Sequence, residues 1–368
     1  METALESVLG PLRKSQRTVI ALVVEALVSL RQAASIPVAA CLAQKTDCLV
    51  PSALTRFYRL LHNPQVDDLA ISRNMLGLLG RRASPLLIAL DWTEWHSDLR
   101  VLLASAAAGA RAIPVYMAAF VKSRIPKSQN VWEESFVEVL SLLLREAGVT
   151  ACFLADRGFR RVQFLRLLLK HSGHTFIVRL AEKVTVETAQ GSKTLKKWGL
   201  QAGRAEDLGW VRLRDAVDVR VVGLWKRGAR EPWWLATNLD LPLSQLAALY
   251  DRRMAIEEQI RDTKGARFGF ALVWTQIKTP TALARFLLLL GLTVLILTAV
   301  GQAISARRPD VRLPSKSKGP RLSLLNVAFL FWPLLDPARP LSSRFIVQHL
   351  PPPTLRSFPW LVKYDKAS

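Results

Sequence analysis

The sequence predicts an α/β protein, a mixed sheet with helices on both faces. Three observations carry that prediction. Between residues 85 and 179, strand-like and helix-like stretches follow one another in the order β-β-β-α-β-α-β, the pattern of a sheet with parallel members and covering helices. Two of the strand-like stretches, PLLIALD at 85–91 and TACFLAD at 150–156, are apolar runs that end in an acid. Half of the 368 residues are apolar, enough for a large core, although 51 Lys and Arg stand against 29 Asp and Glu for a formal net charge of +22.

That balance excludes a disordered basic tail, which would be poor in apolar residues. A positive excess of this size points to a polyanionic partner, and nucleic acid is the usual one. Cys41, Cys48 and Cys152 are too few and too scattered for a disulfide framework, and no CxxC or close Cys/His pairing suggests zinc. The first ten residues hold Glu2 and Glu6 and no basic stretch ahead of an apolar one, so no secretory signal is expected and a cytoplasmic, nucleoid-associated location fits.

The elements follow in order. Residues 1–80 read as helical: VIALVVEALVSLR at 19–31 keeps apolar residues at helical spacing, and SALTRFYRLL at 52–61 is amphipathic with Arg56 and Arg59 on its polar side. A helical N-terminal DNA-binding unit fits, and an ordinary helical subdomain satisfies the same pattern, since no helix-turn-helix signature is clear. Residues 81–182 form the first part of the core. Strands at 85–91, 99–104 and 113–121 make a meander, and a helix at 131–147 has Glu133 and Glu134 in its first turn, where acids suit the dipole. A strand at 150–156, a helix at 162–170 and a strand at 175–179 complete it. Residues 183–240 turn to short alternating runs, KVTVET, WVRLRD, VRVVGLWKRG and PWWLATN, a β-rich insertion. The core resumes over 241–305 with a long helix from 241 to about 265 and a very apolar one. The remainder, 306–368, is Pro-rich with eleven Lys and Arg against Asp310, Asp336 and Asp365, and reads as a basic, loosely structured extension, a candidate for dimerisation.

The apolar helix needs its own judgement. FLLLLGLTVLILTAV at 286–300 has no charge, yet it falls short of the ~20 residues of a membrane span. A buried core helix is expected; a membrane protein with one span near 286–304 is the competing class.

Asp91 and Asp156 fall at strand ends, where open α/β sheets place ligands. Either acid alone is explained as a cap on the following turn. Two in one sheet, on strands that can lie side by side, call for a shared cation. Further on, Tyr250, Arg253, Glu257, Arg261 and Lys264 stand at offsets 0, 3, 7, 11 and 14, one narrow stripe of a helix, with Leu249, Ile256 and Ile260 on another that can face the core. Pairing of Glu257 with Arg261 would explain part of a solvated face. A phenol and three cations around a single acid are better suited to phosphate.

Those residues spell Y-x2-R-x3-E-x6-K, Asp156 opens D-R-G-F, and Asp91 stands in ALDWT. From about residue 49 to 300 the chain resembles the DDE transposases of bacterial insertion sequences, in the group marked by the Y-R-E-K signature, the insertion sequence four type. The resemblance implies an RNase H-like fold with a β-rich insertion between the second and third acids. It implies Asp91, Asp156 and Glu257 as catalytic residues and ligands of two Mg2+ ions, for which Mn2+ can substitute, with Asp91 bridging. It implies cleavage at transposon ends, a hairpin intermediate and strand transfer to target DNA. Tyr250, Arg253, Arg261 and Lys264 are then DNA contacts. Arg179 is similar in placement to a basic residue that touches the end DNA, and Trp233 to an aromatic that holds a flipped base; Trp234 or a plain core role for the tryptophan fits as well. The partners expected are double-stranded DNA, as terminal inverted repeats and target, and a second copy of the chain on paired ends, without a membrane. A decayed copy that binds ends without cutting them is the other alternative.

Overall fold

Five helices open the chain: α1 (Glu2–Leu9), α2 (Lys14–Leu30), α3 (Ser35–Thr46), α4 (Val50–His62) and α5 (Asp68–Gly80). Pro51 sits in the first turn of α4, where its missing N–H costs nothing, and the Asp67 carboxylate caps α5 by accepting the Ala70 N–H at 2.9 Å. These positions come from a computed structural model that describes residues 1–95, 98–124, 129–171, 173–188, 191–213, 217–265, 270–312, 322–335 and 341–365.

The expected β-β-β-α-β-α-β order follows: β1 (Leu86–Trp95), β2 (Leu99–Ala108), β3 (Arg111–Val121), α6 (Asn130–Glu146), β4 (Ala151–Ala155), α7 (Val162–Lys170) and β5 (Thr175–Leu180). Then come β6 (Thr185–Thr188), β7 (Gly191–Thr194), β8 (Ala205–Leu213), β9 (Val217–Leu224) and β10 (Trp233–Thr237). Among the described residues all ten strands share one sheet, in the order β3-β2-β1-β4-β5-β10-β9-β8-β6-β7. The pairs β1–β4 and β4–β5 are parallel and the rest antiparallel, so the β-rich stretch prolongs the core sheet through β10 against β5. This is a mixed α/β sheet flanked by helices, in agreement with the RNase H-like arrangement.

Asp91 is not at a strand end, as the sequence suggested. Strand β1 runs on to Trp95 because β2 pairs it throughout, with Asp91 opposite Leu103. What stops at this point is the parallel ladder to β4, whose last pair is Leu90 with Ala155. Successive side chains of β1 then serve opposite faces of the sheet. Trp92 meets α6 on one, and Thr93 meets the helix carrying the Y-R-E-K residues on the other.

That last element is two helices, α8 (Leu243–Asp251) and α9 (Met254–Lys264), where the spacing predicted one. Around Arg252 and Arg253 the N–H groups bond three residues back, Arg253 to the Tyr250 carbonyl and Ile256 to that of Arg253, which tightens the backbone. Arg252 turns inward onto Asp251 and the Gly109 carbonyl. The single stripe is thereby broken.

The apolar run belongs to α10 (Pro280–Arg307), long and apolar enough to cross a membrane, yet with 94% of its most apolar window buried inside the protein. Strand β3 covers one side of it, and α2, α4 and the C-terminal helices α11 (Leu324–Phe331) and α12 (Ser343–His349) cover others. A helix enclosed in this way is apolar all round. Gly291 allows the approach to the sheet, since a Cβ there would stand 2.4 Å from the Pro114 carbonyl oxygen. Arg285, the buried charge of the helix, donates to Asp68 and to the carbonyls of Leu60, Leu61 and Asn63 at the end of α4.

The C-terminal stretch is not the loose extension expected of its composition. In its described parts Leu325, Phe329, Ile346 and Leu350 are buried, Pro352 and Thr354 exchange backbone hydrogen bonds with Gly109, and Asp365 in α13 (Val362–Asp365) accepts the Ser244 N–H. Asp336 lies outside the described residues.

Candidate active site

Asp91 and Asp156 each follow a member of the last parallel pair, Leu90 and Ala155, so neighbouring strands deliver two carboxylates to one place. The Asp156 Oδ1 accepts the Gly158 N–H at 2.7 Å and caps the turn at Arg157–Phe159. A Cβ at position 158 would stand 2.9 Å from that same oxygen, which is the physical reason for glycine in D-R-G-F. The Asp91 carboxyl is pushed up to about 6, by burial first and then by Asp156, with Arg253 pulling down and Glu257 pushing up. The three acids therefore share one electrostatic environment.

Their arrangement is incomplete as a ligand set. The Glu257 carboxylate is held by Arg253 at 2.6 Å, and among the described residues no three His, Cys, Asp or Glu side chains converge closely enough to hold an ion. The donor chemistry still fits a hard divalent cation: two part-buried carboxylates crowd together, and all the donors are oxygens. The i,i+4 partner of Glu257 is thus Arg253, not Arg261.

The other residues of the signature divide. Tyr250 is buried, with the Trp233 ring edge-on at 5.1 Å, and burial pushes its phenol up to about 12 against the pull of Arg253 and Arg179. Lys264 donates to Thr93 Oγ1 at 2.7 Å and to the Glu94 carbonyl at 2.6 Å, which pins its ammonium to the strand that bears Asp91. Burial lowers its pKa, with Glu94 and Asp91 opposing. Arg261 is not in this group: its side chain is 72% exposed and comes no nearer than 4.0 Å to Glu258.

Arg179 reaches the same region but is engaged, pairing with Glu231 at 2.9 Å and donating to the Pro232 carbonyl at 2.9 Å. The two tryptophans of PWWLATN part company by strand alternation. Trp234 is 1% exposed and lies against Gly223, where a Cβ would meet its ring at 2.5 Å; Trp233 is half-buried on Tyr250.

Sequence reasoning missed Glu133 and Arg161. Glu133 is buried, accepts the Trp92 indole N–H at 2.9 Å and pairs with Arg161 at 3.0 Å, while Arg161 also pairs with Glu134 at 2.8 Å. The signal was present: Glu133 shares the helical stripe of Phe136, Val137 and Leu140, where a carboxylate would be buried and in need of partners.

No curated protein matches the chain. Residues 133–297, which contain Asp156, Glu257 and most of α10, are similar to the sequence model of a protein family described as the transposase DDE domain, and Asp91 lies upstream of the matched stretch.

Proposed function

We propose that the chain is the transposase of a bacterial insertion sequence of the Y-R-E-K group, and that it cuts DNA at the ends of its element and joins them to target DNA. The observation that carries this reading is the delivery of Asp91 and Asp156 to one place by adjacent parallel strands, with Glu257 near enough to bias Asp91. Asp91, Asp156 and Glu257 would hold two divalent cations, Mg2+ or Mn2+. Such ions, when bound, stabilise charge on the attacking and leaving oxygens of an in-line phosphoryl transfer.

The protein's own groups then have separate roles. With cations bound, Glu257 would be among the residues that hold them, and Arg253, its partner in the free protein, would then be available to a DNA phosphate. Lys264, fixed on β1 beside Asp91, neutralises a phosphate close to the scissile bond, and Tyr250 offers its phenol as a hydrogen-bond donor because burial keeps it protonated. Arg261, in solvent, adds at most a long-range attraction to DNA. Trp233 presents the remaining aromatic face for a base. In the first step a water oxygen bonds to phosphorus and the bond to the 3′ oxygen breaks, leaving a 3′-hydroxyl. In the second that hydroxyl oxygen bonds to a target phosphorus, the bond from that phosphorus to the target's own 3′ oxygen breaks, and the released 3′ oxygen takes up a proton. The N-terminal helices, with Arg56 and Arg59 on the exposed face of α4, are the proposed end-binding unit, and two copies act on paired ends in the cytoplasm.

The test is cleavage of the DNA flanking the gene, with and without Mg2+. Cleavage should require the ion, and Asp156→Ala should bind the ends as tightly as the unaltered protein while cutting nothing. Full cleavage by that variant would sink the assignment; binding without cleavage by the unaltered protein would mark a decayed copy.

A further inference from the structure

Glu231, just before β10, joins two arginines from different elements. Arg179 of β5 reaches its Oε1 at 2.9 Å, and Arg157, in the turn after Asp156, reaches its Oε2 at 3.1 Å. Arg179 is largely covered and further fixed by the Pro232 carbonyl, whereas Arg157 and Glu231 are open to solvent. Burial raises the Glu231 pKa, but Arg179 and then Arg157 outweigh it and hold the carboxyl below its usual range. The place is close to the acids: Arg157 adjoins Asp156, and Trp233, two residues past Glu231, lies on Tyr250.

Two guanidinium groups converging on one carboxylate make the arrangement that a phosphodiester takes, since both anions offer two oxygens and one negative charge to the donor forks. For stability alone such a solvent-open ion pair contributes little. We propose that Arg157 and Arg179 form a seat for a DNA backbone phosphate beside Asp156, and that Glu231 fills this seat in the free protein as a built-in competitor. The inference rests on the DNA-cutting function proposed above and adds a means of discrimination. A random duplex must displace Glu231 with few other contacts to help it. A cognate end, gripped elsewhere as well, displaces it readily.

The test uses the full chain, a labelled short duplex of random sequence and EDTA, so that neither cleavage nor metal enters. Affinity is measured by anisotropy across a salt series for the unaltered protein, Glu231→Gln, Arg157→Ala and the double variant, each checked for folding by circular dichroism. Glu231→Gln should bind about fivefold tighter at low salt, with the salt slope steeper by about one unit for one added phosphate contact. Arg157→Ala should cost less than about twofold in the unaltered background, where Glu231 already masks the cation, and remove the whole gain in the Glu231→Gln background, a coupling that the mutant cycle isolates. An Arg157→Ala cost that is equal in both backgrounds, or an unchanged slope in Glu231→Gln, overturns the seat while DNA binding itself stands. Failure of all four proteins to bind the duplex overturns the seat and the DNA reading together. Glu231→Ala supplies the same comparison if the Gln variant does not fold.

Discussion

The Trp92 indole N–H donates to one oxygen of Glu133 at 2.9 Å, and the other oxygen accepts from Arg161 at 3.0 Å. Trp92 follows Asp91, and Arg161 lies five residues beyond Asp156 at the start of α7. One buried carboxylate thus links the strand bearing the first acid to the loop after the second. Replacing Glu133 by Ala leaves a buried indole N–H without its acceptor and Arg161 with only Glu134 and the Asn130 carbonyl, at a cost of about 2–3 kcal/mol. Glu133→Gln keeps an acceptor for Trp92 and should recover most of that stability in thermal melts. If Glu133 positions the acids, the Ala variant at a temperature where it is folded should lower kcat for cleavage while leaving end binding unchanged. Equal melting of Ala and Gln variants would argue against the indole bond.

Crowding of Asp91 with Asp156 and Glu257 predicts stabilisation by a divalent cation. Binding to the folded state alone adds RT ln(1 + [L]/Kd), about 2.7 kcal/mol at a hundredfold excess over Kd. Mn2+ should raise the melting temperature of the unaltered protein, and Asp91→Asn or Asp156→Asn should abolish the rise. A shift of equal size in both variants would place the ion elsewhere.

The alternation at residues 233 and 234 separates two effects. Trp234→Ala should destabilise by about 3–5 kcal/mol, the cost of emptying a fully buried aromatic site. Trp233→Ala, at a half-buried ring packed on Tyr250 and Phe358, should cost less stability than Trp234→Ala and, unlike it, weaken binding of end DNA by the folded protein, read side by side on the same duplex.

His174 predicts an acid weakness away from the acids. It is buried, its Nδ1 accepts the Ala151 N–H at 3.2 Å, and burial, with His171 beside it, lowers its pKa. The unfolded chain therefore takes up this proton at a higher pH than the folded one, so stability is fully present above about 6.5 and declines as pH falls below it. Urea melts from pH 7.5 to 5 should show the loss, and His174→Gln should flatten it. An identical pH profile in the variant would assign the loss to another group.

Truncation after Ala306 should unfold the protein rather than leave a competent single-end binder. Leu325, Phe329, Ile346, Leu350 and Leu361 are buried, and each large apolar side chain contributes about 1.5–3 kcal/mol, together comparable with the 5–15 kcal/mol net stability of a typical domain. A truncated protein with an unchanged melt would show these contacts to be dispensable.

Much of the sheet was written locally. Apolar runs bounded by turns, the GVT between α6 and β4, and the acids that close TACFLAD and PLLIALD are near-neighbour patterns, and the β-β-β-α-β-α-β order followed from them because strand and helix periods differ within a few residues. The turn after Asp156 is local in the same way: in D-R-G-F the Asp156 oxygen accepts the Gly158 N–H, and a Cβ at 158 would stand 2.9 Å from that oxygen. What depended on distant partners was not legible. Strand β1 outran its predicted end because β2 pairs with it, and α8 parted from α9 where Arg252 found Asp251 and the Gly109 carbonyl. Membrane-grade apolarity in α10 became a core because β3 and four helices surround it. A basic, Pro-rich tail became part of that core because its apolar side chains, Leu325, Phe329 and Ile346 among them, lie on helices that pack on α10. Hydrophobic period and turn chemistry act over a handful of residues and so determine elements; burial and ion pairing depend on which elements meet, and only the tertiary structure decided that Glu257 rests on Arg253 and Glu231 on Arg157 and Arg179.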